Sequence, residues 1–134
     1  TEEKALRQKK SYWQKFWADV QKDGFAFERE IANLYRKLGF QVELTKGTGD
    51  GGVDLILLKD GVKSIVQCKA HLQSVGPEPV RALWGVKDDF KAEEVILIAY
   101  SGVTSGAKDF ARKKNYKILD INDIINLCIE VNKI

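Results

Sequence analysis

The sequence predicts an α/β fold, a central mixed β-sheet flanked by helices, on three observations. An Asp60-Gly61 pair separates two apolar runs, which is a strong two-residue hairpin signal and implies antiparallel strands. Further on, strand-like runs alternate with helical periodicity, which implies strands joined by helices. Antiparallel pairing early and helix-linked strands later together require a sheet of mixed direction.

The elements follow in order. Residues 3–22 read as an amphipathic helix, with Leu6, Trp13, Phe16, Trp17 and Val20 near one stripe and lysines elsewhere. This segment is a helix or linker preceding a domain over 23–134; packing on that domain, a dimer contact and a junction to an upstream module are its three roles, and packing within the chain is the expected one. Asp23 and Gly24 interrupt the helix, and Asp23 can cap a second one over 25–38, stopped by Gly39. Phe27, Ile31, Leu34, Tyr35 and Leu38 form its apolar stripe.

Three strands are expected at 41–44, 53–59 and 62–69, with a glycine-rich loop over 46–52 before the second. A connector at 75–79 leads to a helix over 80–90, a buried strand at 95–100 and a helix over 105–114. A short strand at 116–119 and a terminal helix capped by Asp120 or Asp123 complete the chain.

Bulk properties set limits but assign no function. A chain of 134 residues can enclose one core. Its net charge of +3 is concentrated at the start: residues 1–22 carry six basic and three acidic side chains, and the remainder carries 16 of each. Composition therefore gives little support for nucleic-acid binding, and the functional case rests on motifs. Two cysteines, Cys68 and Cys128, lie far apart in apolar surroundings, which suits a reducing compartment and a cytoplasmic location rather than a disulfide framework or a zinc site. No apolar run approaches the roughly 20 residues needed to cross a bilayer, so no membrane contact is expected in this segment. The absence of methionine and the start at Thr1 suggest a piece of a longer product carrying further N-terminal segments.

The chemistry-bearing pattern lies on the hairpin. Asp54 follows Gly49-Asp50-Gly51-Gly52-Val53 and opens the run Leu55-Ile56-Leu57-Leu58. A carboxylate beside a buried strand is costly unless paired or metal-bound, although a residue capping the loop or reaching solvent would serve equally. Strand alternation puts Gln67 and Lys69 on one face and Val66 and Cys68 on the other. If the Asp60-Gly61 turn pairs the strands, Asp54 lies near the Gln67–Lys69 end, bringing an acid, an amide oxygen and an ammonium together. Oxygen donors of this kind suit magnesium. A nearby lysine can orient or deprotonate water, or neutralise charge on a pentavalent phosphorus. Taken singly, Gln67 and Lys69 would more often be a solvated edge.

Asp54 with Gln67-Cys68-Lys69 resembles the PD-(D/E)-X-K nuclease motif in the variant where glutamine replaces the second acid. Adding Phe25-Ala26-Phe27-Glu28, Leu38-Gly39-Phe40, the Gly49–Asp54 run and Val75-Gly76, the chain resembles the Mrr-type restriction endonuclease family, more loosely over 25–125. The resemblance implies a restriction endonuclease-like fold and a metal-dependent DNA endonuclease. Its substrate would be double-stranded DNA, modified DNA included, in a restriction system. Mg2+ would be the cofactor, with Mn2+ able to substitute, and no small-molecule cofactor is implied. Asp54 matches the metal-binding aspartate, Gln67 the second ligand position and Lys69 the catalytic lysine. The main-chain carbonyl of Cys68 would be a further ligand, and Glu28 matches a first-helix glutamate near the metal.

A neutral amide at Gln67 binds metal more weakly than a carboxylate, although glutamine is usual in this group. Glu28 also fits an ordinary first-turn glutamate favoured by the helix dipole. Cutting both strands usually takes two sites, which a homodimer would supply. Two other readings share the motif: a catalytically weak or inactive DNA-binding or assembly domain, and a Holliday-junction resolvase.

Several residues are explained without a site. Asp50 and the 49–52 glycines suit turn geometry, although their amides could also admit a phosphate. His71 reads as a lone surface histidine, and Arg112, Lys113 and Lys114 as cations at a helix end. Trp84 reads as core. Gln73, Arg81, Lys87, Ser101 and Thr104 could line a DNA groove, but solvent or helix capping accounts for each.

Overall fold

A computed structural model describes residues 1–45 and 52–132. The elements are α1 (Glu2–Val20), α2 (Gly24–Lys37), β1 (Gln41–Leu44), β2 (Leu55–Lys59), β3 (Val62–Lys69), α3 (Pro77–Gly85), β4 (Glu94–Ala99), α4 (Ser105–Ala111), β5 (Tyr116–Leu119) and α5 (Ile121–Val131). The sheet order is β1-β2-β3-β4-β5. β1, β2 and β3 pair antiparallel, and β3, β4 and β5 pair parallel. This is the expected mixed sheet.

Helices cover both faces. Phe27, Ile31, Leu34 and Tyr35 of α2 and Ile124, Ile125, Cys128 and Ile129 of α5 pack with Leu55, Leu57, Val66, Ile96 and Ile98. Trp17 of α1 joins them, 1% exposed, so the N-terminal helix packs within the chain. On the opposite face, Val80 and Leu83 of α3 and Ala107 and Ala111 of α4 meet Ile65, Val95 and Leu97. β4 is buried on both faces, which is why Val95–Ala99 is an unbroken apolar run without alternation.

Local chemistry sets most element ends. Asp23 caps α2, its Oδ1 accepting from the Phe25 and Ala26 amides at 3.0 and 3.4 Å. Gly39 ends α2 at φ +95°, and the Phe40 amide donates back to the Tyr35 carbonyl at 3.0 Å, the hydrogen bond of a Schellman ending. Asp120 and Asp123 both serve at the start of α5: each side chain accepts from the other's backbone amide.

Several boundaries differ from expectation. α3 starts at Pro77, not 80, because prolines in a first helical turn remove no intrahelical hydrogen bond. It ends at Gly85, and turns fill 86–91, where Lys91 has φ +54°. α4 stops at Ala111 because Arg112 is extended (ψ 138°) and Lys113 is left-handed (φ +67°). The Lys114 ammonium then caps the Phe110 carbonyl at 2.8 Å, so this cation does serve the helix end. Finally, β2 begins at Leu55 rather than Val53, a difference that bears directly on the site.

Candidate active site

The β2–β3 hairpin is the scaffold. Lys59 and Val62 are register partners, so Asp60 and Gly61 alone make the turn. Both have positive φ (52° and 79°), the combination required by a type I′ turn. The ladder runs from there to Leu55↔Val66.

Asp54 lies where that ladder stops. Its amide donates to the Val66 carbonyl at 2.8 Å, although Val66 is the partner of Leu55. Val53 packs in the core of the α3–α4 face and Leu55 in the core of the α2–α5 face, so the two-residue alternation breaks at Asp54. An extra residue at a strand end re-aims its side chain in the manner of a β-bulge. Asp54 Oδ2 then accepts from the Cys68 amide at 2.7 Å, a side-chain oxygen taking the place of a ladder carbonyl. From the β1 side, the Thr45 amide donates to the Asp54 carbonyl at 3.0 Å and Thr45 Oγ1 donates to the Val53 carbonyl at 2.7 Å. The aspartate is therefore anchored on both sides.

Glu28 reaches Asp54 from α2. It is half-buried and hydrogen-bonded to the Asp54 carboxylate. Burial, then the Asp54 charge and that hydrogen bond, push its carboxyl up to about 7. The Asp54 charge beside it thus makes the Glu28 carboxyl harder to ionise, as closely spaced acids do to each other. The ordinary first-turn role does not account for Glu28, because α2 starts at Gly24 under the Asp23 cap and its first turn contains no acid.

Gln67 and Lys69 follow each other on one face of β3. Gln67 Oε1 is buried and has no hydrogen-bond partner among the described residues. Its amide nitrogen lies against Gly52: a Cβ there would come within 2.3 Å of Gln67 Nε2, and the Gly52 backbone has φ +85°. Gly52 is therefore needed for close approach as well as for turn geometry. We expect Gly52→Ala to displace the Gln67 amide and to lower stability by about 1–2 kcal/mol from backbone strain alone. A chemical denaturation curve measures the loss. An unchanged midpoint would mean that the loop accommodates a side chain freely.

Lys69 is half-exposed and forms no ion pair among the described residues, and its carbonyl accepts from the Tyr100 amide at 2.9 Å. Cys68, between the two, sends its side chain toward the α2–α5 core. Burial, and secondarily the Asp54 and Glu28 charges, raise its thiol well above the usual range, so it is not a nucleophile.

This donor set fits a divalent cation. The Gln67 amide oxygen, without a donor among the described residues, and the two hydrogen-bonded carboxyl groups are all hard oxygen ligands of the kind a divalent cation takes. Among the described residues, no group of three or more His, Cys, Asp or Glu side chains is placed to hold a metal. Asp50 and the Gly49–Gly51 part of the loop lie outside the described residues.

The remaining sequence candidates fall elsewhere or have structural roles. His71 is exposed, with Nδ1 3.0 Å from the Gln73 carbonyl. Thr104 caps α4. Lys87 pairs with Asp88 and lies over the Trp84 ring, which in turn stacks on Tyr116. Arg81 lies over Phe110. An aromatic groove of about 450 Å³ between α1, α2 and α5 is lined by Trp13, Phe16 and Trp17 among others, but by none of these polar groups. Sequence reading missed the tie from Gln21 Nε2 to the Ala70 carbonyl at 2.8 Å, which holds the α1–α2 junction against the end of β3. No local pattern marks a contact across 49 residues.

Comparison with known proteins gives the family and the fold. Residues 20–128 match the restriction endonuclease family defined by the Mrr catalytic domain. The type IV methyl-directed restriction enzyme EcoKMrr of Escherichia coli K12 is 32% identical over 113 residues, covering 78% of this chain and 37% of that enzyme. The crossover junction endodeoxyribonuclease Hjc of Methanocaldococcus jannaschii is 29% identical over 105 residues, covering 76% of this chain and 77% of Hjc. Among solved structures, the DNA modification-dependent restriction endonuclease AspBHI superposes with a TM-score of 0.72 at 19% identity, over 95% of this chain and 36% of that one. MspJI restriction endonuclease, in complex with a 27-mer oligonucleotide, gives 0.58 at 16% identity, over 91% and 32%. At those identities the likeness is one of fold, and the chain spans little more than a third of EcoKMrr.

Proposed function

Because this chain belongs to the Mrr-type restriction endonuclease family, we propose that it hydrolyses DNA phosphodiester bonds with a divalent metal at the Glu28–Asp54–Gln67 site. The observation that carries this reading is the hydrogen-bonded meeting of the Glu28 and Asp54 carboxyls at the end of the hairpin whose second strand carries Gln67, its buried Oε1 without a partner among the described residues. Glu28, Asp54, Gln67 Oε1 and the Cys68 carbonyl would hold the ion, Mg2+ with Mn2+ able to replace it. Bound there, the ion would supply Lewis acidity and an activated water for attack on phosphorus.

The protein's own groups do the remaining work. Asp54, held by the Cys68 amide, keeps one carboxylate oxygen fixed at the strand end and leaves little freedom to its partner. Lys69, without an ion pair among the described residues, offers an ammonium to the charge that builds on the phosphate oxygens. Glu28 must lose its proton for the full oxygen set to form. Its carboxyl is raised to about 7, so acidification protonates a ligand and metal affinity falls as pH drops below that value, by up to about tenfold per unit.

The substrate proposed is double-stranded DNA, modified DNA included, by likeness to the methyl-directed and modification-dependent relatives. A homodimer would cut both strands. A second reading, cleavage of four-way junctions, is favoured by the similarity to Hjc, which extends over 77% of that shorter protein.

The test is a plasmid assay with methylated and unmethylated DNA, in Mg2+ and in EDTA, with a four-way junction alongside. Cutting in Mg2+ that stops in EDTA is the expected result, and the preferred substrate separates restriction from junction resolution. DNA that shifts in a gel but stays intact in both Mg2+ and Mn2+ would overturn the nuclease reading and leave a binding or assembly domain.

A further inference from the structure

A groove of about 580 Å³ opens directly on Glu28, lined by Lys22, Asp23, Gly24, Phe25 and Glu28. Phe25 is its unusual member. It is 75% exposed, whereas the other five phenylalanines are buried or half-buried. Its ring takes part in no ring–ring or cation contact among the described residues. Phe25 is one helical turn before Glu28, so the two side chains lie on the same side of α2. The fold gains little from an aromatic ring held in water, since its apolar surface contributes only when covered.

The other polar features of the groove suit a nucleotide. Lys22 is solvated and only loosely paired with Asp19, at 3.7 Å, leaving its ammonium able to meet a phosphate. The Asp23 charge is taken up by the first amides of α2, which its Oδ1 caps. Beyond Lys69, on the segment tied to the α1–α2 junction by the Gln21–Ala70 hydrogen bond, Leu72 is also 66% exposed. Apolar side chains thus stand exposed on both segments that flank the carboxylates.

On the nuclease reading above, any phosphodiester brought to Glu28 and Asp54 carries its neighbouring nucleotides into this groove. A fully stacked duplex offers phosphates, sugars and base edges at its surface, and a ring face finds its match only in the face of an unstacked base. We propose that Phe25 is a substrate-selecting residue that stacks on an unpaired or extruded base beside the scissile phosphate, with Lys22 on the adjoining phosphate. The favoured substrate is then DNA whose pairing is weakened at the cut site, by a mismatch or an easily unstacked step.

The test uses Lys69→Ala protein with Ca2+ in place of Mg2+, so that DNA is bound and not cut. Binding is measured on a paired duplex and on the same duplex with one mispaired 2-aminopurine. Tighter binding to the mispaired duplex, by about tenfold, with quenching of the 2-aminopurine fluorescence is expected. Adding Phe25→Ala should bring the ratio close to one, and Phe25→Trp should preserve it. Equal preference before and after Phe25→Ala, or none at the outset, overturns the proposal. Since Phe25 is exposed, the melting temperature should not move, and a drop would point to a packing role instead. Plasmid cleavage by protein with Lys69 and Phe25 intact is scored separately. A protein that discriminates but never cuts leaves the stacking subsite standing and removes only the nuclease reading.

Discussion

Asp54→Asn protein is expected to fold normally and to lose DNA cleavage by about a thousandfold or more, equivalent to about 4 kcal/mol of transition-state stabilisation. Asparagine is the informative replacement because its side-chain oxygen can still accept from the Cys68 amide, which Asp54 Oδ2 holds at 2.7 Å. Structure is kept and charge is removed. Alanine would remove both, leaving the Cys68 N–H without its acceptor and mixing a stability loss of about 1–3 kcal/mol into the result. The same substitution also reports on Glu28. With the Asp54 charge gone, the Glu28 carboxyl should fall back from about 7 toward the ordinary carboxylate value without reaching it, because burial is the largest cause of its displacement. A carbon-detected NMR titration of Glu28 measures this directly. Undiminished cleavage by Asp54→Asn would remove the metal-site assignment, and an unmoved Glu28 would show that the two carboxyls do not interact.

Lys69→Ala is expected to lower the cleavage rate by about a hundred- to a thousandfold while leaving metal binding intact. Among the described residues its ammonium is tied to no carboxylate, so its removal breaks no ion pair and strands no buried charge. Denaturation midpoints should therefore be close to those of the parent protein. Retained affinity for Mn2+, measured by paramagnetic relaxation, together with lost cleavage would separate a charge-stabilising role from a ligand role. Lost metal affinity would make Lys69 part of the metal site's architecture. Lys69→Arg tests whether charge alone suffices: an arginine fork is larger and planar, so only partial recovery is expected.

Much of the frame was legible because it rests on short-range chemistry. The Asp60-Gly61 turn, the Asp23 cap and the Gly39 stop each act within a few residues, and each was found where sequence put it. Boundaries failed where two local rules competed. Pro77 and Pro79 read as a break yet open α3, because the first turn of a helix tolerates proline. The run from Val53 reads as one strand, yet its pairing begins at Leu55 because the pleat breaks at Asp54.

For the site, the residue types and the Gln67–Lys69 spacing were enough to single out an acid, an amide and a lysine on one hairpin, since turn geometry sets register and register sets which ends meet. What the linear chain could not decide was how those groups are held. Glu28 meets Asp54 only because α2 packs across the strand ends, and Gly52 is required only because Gln67 lies against it. The Cys68 amide finds its acceptor in a side chain rather than in the ladder, and Gln21 ties helix to strand across 49 residues. Sequence by itself determined the chemistry available, because periodicity and turns are local. Tertiary structure alone decided the acid–acid contact and the burial of the Gln67 amide oxygen, because both depend on distances between segments that packing, and no neighbouring residue, sets.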